Sequence, residues 1–346
     1  MKHLIFIGPL GGGSVPTNGA SVKNYHLLAS LKQYYESILV IDTECWKRKP
    51  FVIVKLLITI LRYSNSVYIL SLNSMSAYRI LRFLKGLSIK RKIYYWVIGG
   101  SLANWIQEGR VKLAPYFMAN MIVVEGDSMK RDLLKCGFMN VICIPNFKHI
   151  SYLPKKSLEN KGIRKFVFLS RILPAKGCDY IIDAVQKLNG EYESCYVVDF
   201  YGVIDESYKD DFMGKIDSVS NISYMGFLDL RCVKNYDILC NYDVMLFPTY
   251  WRGEGFPGIV IDAYIAGLPI VATDWHLNKD IVKNEETGFL IPPHDVSTLI
   301  DAMRKFITME ETKLLMFSER CQQEVANYDV NNVLSQNRLR EIGLIE

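Results

Sequence analysis

The chain has no run of about 18 apolar residues, the length a membrane-spanning helix needs. The nearest, "FVIVKLLITILRY" at 51–63, is interrupted by Lys55, so a protein that does not cross a bilayer is expected. None of the eight cysteines forms a C-x-x-C pair, and none is spaced with the five histidines as metal ligands are. Zinc-ribbon and dithiol chemistry are thereby disfavoured, and reduced, mostly buried thiols in a cytoplasmic protein are expected. There is no D-x-D tripeptide, so a metal ion holding a diphosphate is not required. The G-x-G-x-x-G spacing is also missing, and no acid is clearly placed about 20 residues beyond the first glycine-rich turn, which disfavours a dehydrogenase. Internal repeats, low-complexity segments and nucleic-acid-binding motifs are absent. With a pI near 8.6, nucleic acid is not an expected partner. The start, "MKHLIFIGPLGGG", passes from a short apolar run straight into glycines and reads as a first strand rather than a signal peptide.

What is present is a chain of 346 residues, half of them hydrophobic, enough for the cores of two domains. Six β-rich runs in the first half ("HLIFIG", "SILVID", "SVYILSL", "KIYYWVIGG", "MIVVEG", "VICIPN") alternate with helical patterns. Six more follow in the second ("KFVFLSR", "CYVVDFYG", "SYMGF", "VMLFPTY", "PIVATD", "GFLIPP"). Continuous apolar strands separated by helices predict two parallel, doubly wound sheets. The polar stretch 148–165 separates them, giving domains at about 1–155 and 160–327, with the amphipathic segment 328–346 expected to pack back on the first. Open sheets of this kind bind ligands at the carboxyl ends of their strands, here in the cleft between the domains. The net charge is +5, yet the cations gather in "WKRKPFVIVKLLITILRY" and "YRILRFLKGLSIKRK". These segments suit helices lying on an anionic membrane surface, or core-packed helices with solvated basic flanks.

Three motifs carry chemistry. In "GPLGGGSVPTNGAS" the glycines, Gly12, Gly13 and Gly19 among them, let main-chain amides approach a diphosphate or an attacking hydroxyl, although a flexible surface loop has the same composition. In "FVFLSRILPAKGCDYIIDAVQKL", Arg171 follows a strand and Lys176 precedes a helix whose core face is Ile181, Ala184, Val185 and Leu188. Two cations at such a junction suit two phosphates, or are simply surface charges. In "TYWRGEGFPGIVIDAYIAGLPIVATD", glycines surround Glu254 and a helix is predicted from near Pro257 to Gly267. Asp262 falls on the same helix face as Gly258 and Ile259, which places both carboxylates at the border of one anion-binding helix end. Phosphate plus hydroxyl groups suggests a sugar nucleotide.

These segments, with "ISYMGFLDL" and "NEETGFLIPPHD" in the same order, resemble the carboxyl-terminal domain of glycosyltransferase family 4, retaining enzymes of the GT-B fold. The resemblance is strong over about 164–300 and weaker in the first 150 residues. It implies that Arg171 and Lys176 hold the donor diphosphate and that Glu254 faces the donor sugar. It also implies that Gly255, Phe256, Gly258 and Ile259 line the sugar and phosphate. Asp262 stands where the family usually has a second glutamate on the ribose, and Asn18-Gly19 resembles the glycine pair that opens the first helix. A histidine that touches the donor sugar in many relatives is absent from "YYWVIGGSLANW", where Gly99, Gly100 and Ser101 stand; His26 is not a substitute. The implied activity is retaining transfer of a hexose-type sugar from a UDP- or GDP-linked donor to a saccharide acceptor, lipid-linked in bacterial surface polysaccharide assembly. No cofactor is implied, and the location is the cytoplasm or the inner face of the membrane. An inactive sugar-nucleotide-binding subunit and a GT-B epimerase are the alternatives.

Overall fold

The computed structural model describes residues 3–13, 18–44, 46, 49–156 and 162–345. They form two compact units, one comprising residues 1–149 and 328–346, the other 150–327. The chain therefore leaves the first unit at His149, ahead of the boundary expected near 155, and re-enters it at Tyr328.

The first unit is built on strands β1 (Leu4–Gly8), β2 (Ile38–Asp42), β3 (Val67–Asn73), β4 (Lys92–Ile98), β5 (Met121–Val124) and β6 (Val141–Cys143). All pairs are parallel, in the order β2-β1-β3-β4-β5-β6. Helices α1 (Gly19–Leu31), α2 (Phe51–Arg62), α3 (Ser74–Gly86), α4 (Leu102–Gln107) and α5 (Asp127–Lys135) connect them. Helix α1 starts where Asn18 Oδ1 accepts the amide of Ser21, an N-cap that satisfies one of the free donors of the first turn. It buries Leu27, Leu28 and Leu31 on Leu4, Phe6 and Trp96 of the sheet.

The second unit carries β7 (Arg164–Leu169), β8 (Tyr196–Tyr201), β9 (Ile222–Tyr224), β10 (Val244–Phe247), β11 (Ile270–Thr273) and β12 (Gly288–Ile291), again all parallel. Their order, β12-β11-β10-β7-β8-β9, reverses direction between β7 and β10. Its helices are α6 (Cys178–Tyr192), α7 (Lys209–Ile216), α8 (Asn235–Cys240), α9 (Gly258–Ile265), α10 (Asn278–Ile281), α11 (Val296–Ile307) and α12 (Glu311–Glu324). The expected face of α6, Ile181, Ala184, Val185 and Leu188, is buried with Phe166, Phe168 and Phe200 and with Leu299, Met303 and Phe306 of α11. At about 1.5–3 kcal/mol for each large aliphatic side chain withdrawn from water, this face anchors the helix that follows Lys176.

The terminal segment is two short helices, α13 (Val330–Val333) and α14 (Gln336–Glu341), rather than one amphipathic helix. Its apolar residues Val330, Val333, Leu334, Leu339 and Leu344 join the core of the first unit. Its last carbonyls accept hydrogen bonds there, Ile342 and Gly343 from the Tyr94 hydroxyl, Gly343 also from Lys92 Nζ, and Leu344 from the Tyr35 hydroxyl. Among the described residues no helix is long and apolar enough to cross a membrane.

Candidate functional site

In an open parallel sheet the ligand crevice lies outside the carboxyl ends of the strands where the order reverses, which in the second unit means beyond β7 and β10. The loops leaving these strands are laced together: Tyr250 N donates to Ala175 O at 2.9 Å, and Thr249 Oγ1 lies 3.4 Å from the same carbonyl. Gly177 makes the approach possible. Its φ is +82°, and a Cβ there would lie 2.3 Å from Pro248 O at the end of β10. Glycine alone fits. This lacing carries Lys176, at the end of a single 3-10 turn, against the glycine-flanked carboxylate. Lys176 Nζ donates to Glu254 Oε2 at 2.5 Å, and Thr249 Oγ1 donates to the same oxygen at 3.0 Å. The ammonium also stands 5.6 Å over the Phe247 ring. The two charged side chains are only 9% and 11% exposed.

Arg171 reaches the neighbouring loop by another contact, its guanidinium 5.5 Å over the Trp251 ring. Trp251 O accepts the Glu254 amide at 3.0 Å and Trp275 Nε1 at 3.0 Å, so one carbonyl ties the glycine turn to the loop after β11. His276 follows in that loop with φ +49°. Burial chiefly holds its imidazole below the ordinary value, while the Glu254 carboxylate favours the charged form and the Lys279 ammonium disfavours it. Beyond the turn, Phe256 and Pro257 are buried while Gly255, Gly258 and Ile259 are half-buried. Pro257 occupies the N-cap of α9 rather than its first turn, and no side chain caps this end. Uncapped amides and the positive end of the helix dipole favour an anion here.

Asp262 sits on α9, buried, and its Oδ1 accepts the Tyr236 hydroxyl of α8 at 2.5 Å. Burial first, and Asp262 second, push the Tyr236 phenol far above its usual range, so the tyrosine is a firm donor. Lys176, Glu254 and Thr249 thus form one cluster, while Asp262 is held by a separate aromatic partner. In the first unit Gly11, Gly12 and Gly13 all have positive φ, as their loop requires. The Gly12 amide, however, is taken by Asp42 Oδ2 at 2.8 Å, while Asp42 Oδ1 accepts Leu10 N at 2.9 Å and Glu44 N at 2.8 Å. That amide does not stand free for a diphosphate, and the acid at the end of β2 holds the loop. Gly13 has open space around its Cα, and Gly19 opens α1. Residues 14–17, the rest of the motif, lie outside the described residues. Gly99, with φ +83°, follows β4, and Ser101 precedes α4.

Sequence reasoning missed Thr249, Trp251, Gly177, His276, Tyr236 and Asp42. The first three lie within the quoted motifs, where a hydroxyl, an aromatic and a glycine flanking the charged residues were the available signal. His276 and Tyr236 carried none, because each reaches the site from an element 22 or 26 residues away in sequence from Glu254 or Asp262.

The family model for glycosyl transferases group 1 matches residues 151–323, half of the chain. The chain belongs to this family. The match spans the loops after β7, β10 and β11, with Arg171, Lys176, Glu254, Asp262 and His276 inside it. A curated relative, UDP-Gal:alpha-D-GlcNAc-diphosphoundecaprenol alpha-1,3-galactosyltransferase of Escherichia coli, is 33% identical over 92 residues, 26% of this chain and 22% of that protein. The matched stretch is therefore about a fifth of that relative's length. Among solved structures, sucrose-phosphate synthase from Thermosynechococcus elongatus aligns over 99% of this chain and 98% of its own with a TM-score of 0.75 at 12% identity. HepE of Anabaena in complex with UDP aligns over 99% of each chain with a TM-score of 0.72 at 15% identity. At these identities the structural likeness establishes the GT-B fold, two parallel doubly wound sheets in one chain.

Proposed function

We propose that the protein is a retaining glycosyltransferase that moves a hexose-type sugar from a nucleoside-diphosphate donor to an acceptor hydroxyl in bacterial surface polysaccharide assembly. The observation that carries this reading is the Lys176–Glu254–Thr249 cluster at the switch point of the family-matched unit. In the reaction the bond between the sugar's anomeric carbon and the diphosphate oxygen breaks. The acceptor oxygen bonds that carbon on the same face, and the acceptor's proton passes to the leaving phosphate. That route asks no side chain to act as general base. The side chains instead meet charge: an ammonium has three donors, and Glu254 takes one of Lys176's, leaving the others for diphosphate oxygens, and Arg171 is assigned to the same diphosphate. Both side-chain donors fall on Glu254 Oε2, which leaves Oε1 to accept a hydroxyl of the donor sugar.

The donor is expected to carry UDP, in keeping with the galactosyltransferase relative's name, with GDP the other candidate. The same name supports a lipid-linked saccharide as acceptor. Thermal shift against UDP, GDP, ADP, CMP and dTDP sugars tests the donor, because a ligand that binds only the folded state raises its stability by mass action. Stabilisation by a nucleoside diphosphate sugar, and transfer to a diphospholipid-linked saccharide, are the expected results. Failure of every donor to stabilise the chain contradicts the proposal.

A further inference from the structure

Residues 45 to 107 contain eleven Lys or Arg and not one Asp or Glu. Within this stretch lies α2, whose inward face, Val52, Leu56 and Ile60, is buried. Its outward face is apolar as well. Phe51, Val54, Ile58 and Leu61 recur at intervals of three and four residues, hence as one stripe, and are between 55% and 66% exposed. A helix that is apolar on both sides has a partner on each.

Lys55 and Arg62 are exposed at one edge of that stripe. The sheet order makes the steps from β2 to β3 and from β3 to β4 run in the same direction, so right-handed crossovers put α2 and α3 on the same face of the sheet. Arg91, just past α3, donates to Ile60 O in the last turn of α2 at 2.7 Å and joins the two. Helix α3 shows Arg79, Arg82 and Lys85 to solvent, with Phe83 and Leu87 exposed among them.

We infer that α2 and α3 dock this unit on the surface of an anionic bilayer, α2 lying in the interfacial plane with its outward stripe among the acyl chains. An amphipathic helix with exposed aliphatics and a cationic rim has the chemistry of an interfacial anchor, and a helix of 12 residues lays about 18 Å of contact along the surface. A second copy of the chain fits poorly, because a two-fold contact sets the same cations against each other with no carboxylate in the segment to meet them. Nucleic acid fits poorly too, since three of the four stripe residues are aliphatic and offer a phosphate backbone nothing.

The inference stands without the transferase reading, and its test contains no donor. The full-length protein is floated with vesicles of phosphatidylcholine alone and of phosphatidylcholine mixed with phosphatidylglycerol, at low and high salt. Binding is expected to the mixed vesicles and to fall as salt rises. Reversing Arg82→Glu and Lys85→Glu together is expected to lower partition at least tenfold, at about fivefold for each cation removed. Ile58→Gln with Leu61→Gln is expected to abolish flotation at low salt while leaving the melting temperature at the wild-type value. No flotation with anionic vesicles at low salt overturns the inference, as does flotation that neither pair of substitutions changes. A dimer in sedimentation equilibrium that Ile58→Gln with Leu61→Gln dissociates, or tighter binding to a duplex oligonucleotide than to vesicles, overturns it equally.

Discussion

Replacing Glu254 with glutamine removes the charge that faces Lys176 and keeps the side chain's size. At 2.5 Å and an effective dielectric of about 20, the Coulomb attraction of such a pair is about 7 kcal/mol, offset by several kcal/mol for taking each ion out of water. Removing one partner of a buried pair typically costs about 3–5 kcal/mol because the other charge is left uncompensated. The amide still offers Lys176 and Thr249 an oxygen, and both side chains keep some contact with water, so about 2–4 kcal/mol is expected here. For a unit of this size that lowers the melting temperature by roughly 5–15 °C. Lys176→Met strands the carboxylate instead and is expected to cost a similar amount. The double variant, with no charge to strand, is expected to recover much of the loss, giving a coupling of about 1.5 kcal/mol or more. Chemical denaturation of wild type, both single variants and the double variant measures this directly. If each single change costs less than about 0.5 kcal/mol and the two add, the cluster is not the coupled unit described here.

Arg171→Ala is expected to weaken binding of the free nucleoside diphosphate by about 1.5–3 kcal/mol, the range for charged hydrogen bonds, and titration calorimetry would show no change if the guanidinium only stacks on Trp251. Tyr236→Phe removes the hydroxyl that the buried Asp262 oxygen accepts and should destabilise by about 1–3 kcal/mol. If Asp262 nonetheless binds ribose, Asp262→Asn raises KM for the donor with kcat little changed, whereas an unaltered KM returns it to structure. Burial lowers the His276 pKa from 6.5, so the native state binds fewer protons than the unfolded chain at pH values just below that. This contribution is full above pH 6.5 and is lost as pH falls through the lowered value; His276→Gln should flatten stability against pH on that acid limb, and a parallel profile would show that the histidine does not titrate there. Transfer is expected to persist in excess EDTA, and loss reversed by Mg2+ or Mn2+ would contradict the assignment of the diphosphate to Arg171 and Lys176.

The central strands, such as β1, β3, β4 and β10, were legible because a parallel sheet buries both their faces and they are therefore written as apolar runs; the edge strand β9 is short and only partly buried, and its pattern is weaker. The bounds of α9 were legible for a local reason as well, Pro257 at one end and Gly267, with φ +67°, at the other. Partners were less so. Helical spacing says that Asp262 shares a face with Gly258 and Ile259, but not that α8 presents Tyr236 to that face. The glycines at 11–13 announced an unusual backbone, yet the residue that accepts the Gly12 amide, Asp42, is brought there by the pairing of β2 with β1. His276 reaches the neighbourhood of Glu254 only because β10 and β11 are adjacent, with a left-handed residue directing the loop. The exposed stripe on α2 could not be told from a buried one by sequence pattern, since an all-apolar helix reads the same whichever side faces water.

The most direct measurement of the central claim incubates the protein with UDP-linked and GDP-linked hexoses and a diphospholipid-linked saccharide, and reads both the product and its anomeric configuration by NMR. A glycoside that retains the donor's configuration is predicted, formed by the wild type and lost in Glu254→Gln although that variant still binds the free nucleoside diphosphate. A chain that binds the sugar nucleotide but neither transfers nor hydrolyses it, with any of these donors, would contradict the claim.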